Sequence, residues 1–254
     1  MDTRKPNPDL SAVLKAWEYK PGQINARFIK GDDGEPRIQV RIDLGILQMH
    51  ASGRPDGERP DGHESLLELF EARNDEATAA GEEPPRLTQD ECRAVRDEAV
   101  QYYHRYVALL ALEDFEGVVR DTTRNLRVLD LCAEHAETEA DRTVLEQFRP
   151  YITMVRARAL ASQALKDNEP KAALHAIDEG LEALRQYFAD TGQPQMFDQS
   201  SEVQMLRGMR DSLVPKLPVS QVAELRTRLA KAVEQENYEL AAILRDELKQ
   251  VKEQ

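Results

Sequence analysis

The stretch GRPDGERPDGHES, residues 53–65, gathers Asp56, Glu58, Asp61 and His63 into one Gly- and Pro-rich segment. Carboxylates beside an imidazole can move protons or hold a divalent ion, so Asp56, Asp61 and His63 form a candidate acid–base or metal site. Their spacing matches neither the alternating oxygen ligands of a calcium loop nor the paired Cys and His of a zinc motif. The near-duplicate RPDG units also have a conformational explanation, since Pro presets one backbone angle and Gly accepts positive φ. The favoured expectation is an ordered loop that positions the helix after it, with no catalytic residue, no cofactor and no metal. An enzyme with a metal or acid–base site in the 53–65 loop is the alternative.

The elements on either side of this loop differ in period. In INARFIKGDDGEPRIQVRIDLG, Ile38, Val40, Ile42 and Leu44 alternate with Arg37, Gln39, Arg41 and Asp43. That period of two is the signature of a half-buried strand, and the GDDG turn before it predicts a β-hairpin starting at Ile24. After Gly45 the apolar set moves to Leu47 and Met49, which predicts a bulge or bend. A two-stranded ribbon is marginal alone, so it must add a strand, pack on helices or pair with a second subunit.

Past the loop, helical spacing takes over. ESLLELFEARNDEA places Leu66, Leu67, Leu69 and Phe70 on one buried side, and TQDE at Thr88–Glu91 fits a capping box. Two helical pairs follow, one broken near EDF at residues 113–115 and one at NEP at residues 168–170, with a kink or restart at Pro150. Setting Glu113-Asp114-Phe115 against Asn168-Glu169-Pro170 puts Val118 opposite Ala173 and Asn125 opposite Gly180. Those turn and small-residue positions resemble tetratricopeptide repeats, in which small side chains let helices pack closely. The spacing between the pairs exceeds that family's repeat, and two units are fewer than a stable array needs, so an irregular helical bundle stands beside the repeat as an expectation.

VPKLPVSQ, residues 214–221, reads as a linker, because two close prolines cannot continue a helix. Beyond it, Val222, Leu225, Leu229, Ala232 and Val233 share one arc of a first helix, and EQEN offers a break before a second. On the second, Tyr238, Ala241, Ala242 and Leu248 form one stripe, and Ala241, Leu244, Leu248 and Val251 another beside it. The combined arc is wider than one antiparallel partner requires, which calls for a further surface. The two alanines permit close backbone approach, and Tyr238 adds a broad ring with a polar tip. Arg245 falls within the Tyr238 stripe, where its stem can lie on the seam and its guanidinium can reach Glu236, Glu239, Asp246 or a partner's acid.

LRTRLAKAVEQENYELAAILRDELKQV resembles the UVR domain, the short helical hairpin of the bacterial excision-repair subunits UvrB and UvrC. The matching residues are Leu225, Leu229, Ala232, Glu236, Tyr238, Glu239, Ala241, Ala242, Leu244, Arg245, Asp246 and Leu248. The resemblance implies a module that associates with another such hairpin. Similar hairpins occur in activators of protein arginine kinases and in some Clp-type chaperone ATPases. The rest of the chain lacks the glycine-lysine nucleotide motif of those ATPases, the CxxC fingers of the activators and any nuclease motif, so the resemblance carries an interaction module and no catalysis.

Composition bounds the partners. The chain has 254 residues with 47 acidic against 34 basic side chains, a formal charge of -13, which argues against direct nucleic-acid binding. No apolar run is long enough for a membrane span, and no secretory h-region opens the sequence, so a cytoplasmic protein is expected. Cys92 and Cys132 have no CxxC partner and read as reduced, partly buried thiols. The expected architecture is mainly α: a helical bundle or tetratricopeptide-like hairpins, a small N-terminal β-hairpin, and a C-terminal antiparallel helical hairpin. Its divisions are 1–63 for the β-hairpin region and loop, 64–213 for the helical domain, 214–220 for the linker and 221–254 for the UVR-like hairpin. The expected function is a bacterial, non-enzymatic adaptor that binds protein through Tyr238, Ala241, Ala242, Arg245 and Leu248. Its partner would be another UVR-type hairpin or a second copy, with links to DNA repair or proteostasis complexes.

Overall fold

A computed structural model of the chain describes residues 9–213 together with 229–231, 233 and 245. The fold is mainly α with a small antiparallel sheet near the N-terminus. Two compact units divide the chain, Met1–Arg210 and Asp211–Gln254. The expected linker at 214–220 lies outside the described residues, as do most residues of the expected hairpin at 221–254.

A short helix, α1 (Ser11–Ala16), precedes strands β1 (Asn25–Lys30), β2 (Pro36–Ile42) and β3 (Gly45–His50). The sheet order is β1-β2-β3, with Phe28 opposite Ile38 and Ile38 opposite Met49. The expected hairpin therefore gains a third strand. The apolar phase changes because Asp43 and Leu44 make a tight turn that pairs Ile42 with Gly45. That turn brings Leu47 opposite Val40 and Met49 opposite Ile38, so all four share the apolar face where a bend was expected. Arg41, on the other face, is buried and ties the turn together. Its Nη1 donates to the Asp43 and Gly45 carbonyls at 3.0 and 3.1 Å, while its Nε donates to the Trp17 carbonyl at 2.9 Å. The Arg27 guanidinium lies 4.0 Å from the centre of the Trp17 ring, so the N-terminal segment is held on the arginine face of the sheet.

The helices begin where the sequence supplies caps. Helix α2 (Leu66–Ala79) is capped by Ser65, whose hydroxyl accepts from the Glu68 amide. Helix α3 (Gln89–Ala111) opens on the expected capping box: Thr88 Oγ1 accepts from the Glu91 amide, and Glu91 Oε2 accepts from the Thr88 amide at 2.8 Å. Those bonds, with the Arg73 guanidinium, outweigh burial and hold the Glu91 carboxyl below its ordinary pKa. Helix α4 (Phe115–His135) is capped by Asp114, and the short α5 (Glu139–Thr143) by Thr138. After a single 3₁₀ turn at Glu146–Phe148, α6 (Arg149–Lys166) restarts with Pro150 in its first turn, where a missing N–H costs nothing. Helices α7 (Pro170–Asp190) and α8 (Ser201–Leu213) follow, joined by a 3₁₀ segment.

Consecutive packing of α3 on α4, α4 on α6 and α6 on α7 builds the helical layer, while α2 packs on α3 and α4 and the sheet packs on α3. Leu67, Phe70, Val95, Val128, Leu129 and Ile152 belong to one continuous apolar core. Cys92 and Cys132 lie in the same core as free thiols, fully buried where partial burial was expected, and the Cys92 thiol donates to the Leu87 carbonyl at 3.9 Å. Burial pushes the Cys132 thiol up to about 12, so it stays protonated at neutral pH.

The α3/α4 and α6/α7 hairpins turn alike. Glu113 and Asn168 both adopt left-handed φ, 57° and 62°. The next amides, of Asp114 and Glu169, donate back to the Leu109 and Ala164 carbonyls at 3.0 and 2.7 Å. These bonds satisfy the free carbonyls at each helix end and reverse the chain within three residues. Val118 and Ala173, set opposite each other by the turns, are both fully buried.

Candidate functional site

The 53–65 loop is held by charge. Arg105, on α3, is almost wholly buried and clamps Asp121 of α4 in a bidentate pair at 2.7 and 2.8 Å. Its remaining Nη1 donates to the His50 and Gly53 carbonyls at 3.1 and 2.7 Å. One guanidinium thus fastens the end of β3 and the start of the loop to the helical core. Arg120 reinforces the same point, reaching both Asp121 and the Ala51 carbonyl.

Glu98 anchors the loop's far end. Its carboxylate accepts from the Leu66 amide at 2.9 Å, pairs with Arg54 at 3.2 Å, and meets the Arg124 guanidinium. An anion at the start of α2 faces the positive end of the helix dipole and fills one open backbone donor. Tyr102 lies between the two cations, 4.7 Å from Arg105 and 4.1 Å from Arg124, and burial pushes its hydroxyl up to about 12. Burial draws Arg124 below its ordinary pKa and Arg127 adds repulsion, yet a guanidinium remains cationic at neutral pH.

Within this frame the residues that suggested chemistry do not converge. Asp56 Oδ1 accepts from the Glu58 amide and Oδ2 from the Gln101 amide group, both at 2.9 Å, with Arg54 also at 3.1 Å from Oδ2. Asp61 sits exposed at left-handed φ, and His63 is half-buried without joining Asp56. Among the described residues no group of three or more His, Cys, Asp or Glu side chains is placed to share a metal ion. Gly57 does have a close-approach role, since a Cβ there would lie 2.4 Å from His50 Nε2. The loop's surface is pocketed by clefts of about 250 and 420 Å³, the larger lined by Glu68, Tyr102, Arg120, Thr123, Arg124 and Arg127.

The buried ions were the part that composition and motifs did not announce. Asp121 follows Val118 and precedes Val128 on the α4 stripe that enters the core, and Arg105 lies between Tyr102 and Tyr106 on that of α3. A charge falling inside an apolar stripe is the available sequence signal for such a pair.

Of the expected interaction residues, Arg245 is helical and exposed. Tyr238, Ala241, Ala242 and Leu248 lie outside the described residues. On the expected first helix of the hairpin, Leu229–Lys231 and Val233 are helical, with Leu229 half-buried and Val233 exposed. No helix among the described residues is long and apolar enough to cross a membrane. No curated protein and no solved structure matches the chain. Residues 220–254 match the UVR family model, the UvrB/uvrC motif.

Proposed function

We propose that this chain is a bacterial, cytoplasmic, non-enzymatic adaptor. Its C-terminal hairpin pairs with another UVR-type hairpin, or with that of a second copy, while the helical unit carries or presents a different protein. The observation that supports this reading is the UvrB/uvrC motif over residues 220–254, within a compact unit distinct from Met1–Arg210. The motif's width of apolar arc fits a second helical hairpin, and Tyr238, Ala241, Ala242, Arg245 and Leu248 are the residues assigned to that contact. The like turns at Glu113 and Asn168 support a tetratricopeptide-like reading of the α3/α4 and α6/α7 hairpins. A link to excision-repair or proteostasis complexes belongs to the same proposal.

The test replaces Ala241 and Ala242 with glutamine in the full-length chain, so that two bulky polar side chains stand at the close-approach positions. Light scattering and co-purification of two differently tagged copies read self-association, and affinity purification from the native cell reads hetero-association. Loss of both associations, with the urea transition of the helical unit unchanged, is the expected result. Unchanged association in both assays removes the hairpin from the function.

A further inference from the structure

The antiparallel sheet has two outer edges, and β1 leaves one of them open. Ladder bonds alternate along a strand, and the Gly31 amide donates to the Glu35 carbonyl at 2.8 Å just beyond the β1/β2 register. Counting back by twos, Ile29, Arg27 and Asn25 bond inward to β2, so the N–H and C=O groups of Ala26, Phe28 and Lys30 point out of the sheet. Among the described residues those outward groups have no partner. The β3 edge is partly used, since its outward His50 amide donates to the Pro55 carbonyl at 2.8 Å and the His50 carbonyl accepts from Arg105. The apolar row that crosses the sheet stops short on the β1 side as well. Met49, Ile38 and Phe28 stand side by side and are 4%, 0% and 47% exposed. Phe28 lacks a neighbour where a fourth strand would lie. Edges of this kind are commonly guarded by an outward charge. Here Arg27 is turned back, its guanidinium on the Trp17 ring and on Gln39 Oε1 at 2.9 and 2.7 Å, and only Lys30 remains at the strand's end.

The spacing of the open groups selects their occupant. In antiparallel pairing about a two-fold axis at Phe28, Ala26 of one copy meets Lys30 of the other, and Phe28 meets Phe28. Every outward N–H and C=O of both strands is then satisfied, because each of these residues falls in a bonded pair. The two phenyl rings carry the apolar row across the joint. No like charges stand opposite each other, since Arg27 falls against Ile29. The same register runs the acidic turn of each copy, with Asp32, toward Lys20 of the other, and in the single chain neither Lys20 nor Asp32 has an ion-pair partner. A foreign strand could match the backbone groups, but nothing in the sheet selects its side chains.

We propose that β1 pairs with β1 of a second copy of this chain, joining the two sheets into one about an axis through Phe28. A strand of 6 residues is small beside the roughly 20–30 residues a side of a stable interface, so the contact is weak alone and does not carry the association read at low concentration in the hairpin test. It lies in the Met1–Arg210 unit and does not depend on hairpin pairing.

The experiment uses the full-length chain carrying Ala241→Gln and Ala242→Gln, so that strand pairing is read apart from hairpin pairing and either can fail alone. Sedimentation equilibrium and amide hydrogen exchange follow it from about 10 µM to about 1 mM, the range in which a small interface fills. The expected result is a dimer that forms across this range, with exchange at the Ala26, Phe28 and Lys30 amides slowing about fivefold to tenfold as it forms. Ala26→Pro removes an outward donor and no bond to β2, and should weaken dimerisation about tenfold. Phe28→Lys and Phe28→Glu should each weaken it as much, by setting like charges opposite each other. An equimolar mixture of those two variants should recover the dimer, because the axis places position 28 against itself, and this mixture keeps the test decisive where Ala26→Pro fails to fold. A monomer throughout, or a mixture no more dimeric than its components, overturns the proposal. So does exchange at the three amides that ignores concentration, which would leave the edge to a strand of another protein.

Discussion

The α3/α4 and α6/α7 hairpins share a turn but not an interior. With Glu113 set opposite Asn168, the buried Arg105 and Asp121 of the first fall opposite Leu160 and Ala176 of the second. Tyr102 and Asn125 fall opposite Ala157 and Gly180. The first hairpin spends its interior on cations, carboxylates and an aromatic ring, because the 51–66 segment lies across it and presents carbonyls that need donors. Among the described residues the second has no such segment to hold, and it closes on small residues. A Cβ on Gly180 would come within 2.5 Å of the Ala157 Cβ, so its two helices approach nearly backbone to backbone. A local turn fixes the reversal of the chain, and what lies against the helices decides what fills the space between them.

Breaking the ionic interior gives the largest expected effect. Asp121→Ala leaves the Arg105 guanidinium buried without its counterion, and should cost about 3–5 kcal/mol of unfolding free energy by urea titration. Adding Arg105→Leu imports the second hairpin's pairing and should recover much of that loss, since a buried ion pair is often replaceable by apolar groups. The double variant still lacks donors for the His50 and Gly53 carbonyls. Limited proteolysis should therefore cut its 51–65 loop faster than in the parent, even where global stability returns. A double variant no more stable than Asp121→Ala would show that the pair does more than hold the loop.

Much of the helical framework was legible in the sequence, and the exceptions have physical causes. The capping box at Thr88, the breaks at EDF and NEP and the restart at Pro150 are local events, written in residues that touch one another along the chain. The third strand was hidden because the two turn residues Asp43 and Leu44 continue the polar–apolar alternation through the reversal. The role of the RPDG loop was hidden for the opposite reason. Its acids drew notice, while the groups that hold it, Glu98, Arg105 and Asp121, are distant in sequence and look like ordinary helix charges until their neighbours are known. Cys92 and Cys132 share one core for the same long-range reason, because α3 starts where α4 ends: the Leu87 and Glu137 amides donate to the His135 and Leu87 carbonyls.

The small-residue interior should tolerate less added volume than helix propensity would suggest. Alanine is ordinarily the better helix residue by about 1 kcal/mol, so Gly180→Ala at an open position would stabilise. Here the new methyl meets Ala157, a side chain with no rotamer to yield, and Leu206 Cδ1 lies 3.2 Å away. The helices must separate, at a net cost of about 1–3 kcal/mol. Ala157→Gly in the same chain removes the obstructing carbon, and a double-mutant cycle should show the two changes strongly coupled. Additive effects would mean that α6 and α7 are less closely apposed than the first hairpin's contrast implies.

The smallest effect isolates what the hairpins have in common. Glu113 and Asn168 hold the same left-handed backbone, but asparagine visits that region more readily than glutamate, whose Cβ and longer chain bring no compensating local bond. Glycine removes the Cβ penalty at both positions while adding some unfolded-state entropy. Glu113→Gly should therefore stabilise by about 0.5–1 kcal/mol in urea unfolding, and Asn168→Gly by distinctly less. The comparison is informative because neither change touches the interiors. Equal gains at both sites would mean that the turn penalty ignores the side chain. Destabilisation at Glu113 would mean that its side chain, and not only its backbone, helps hold the ionic hairpin closed.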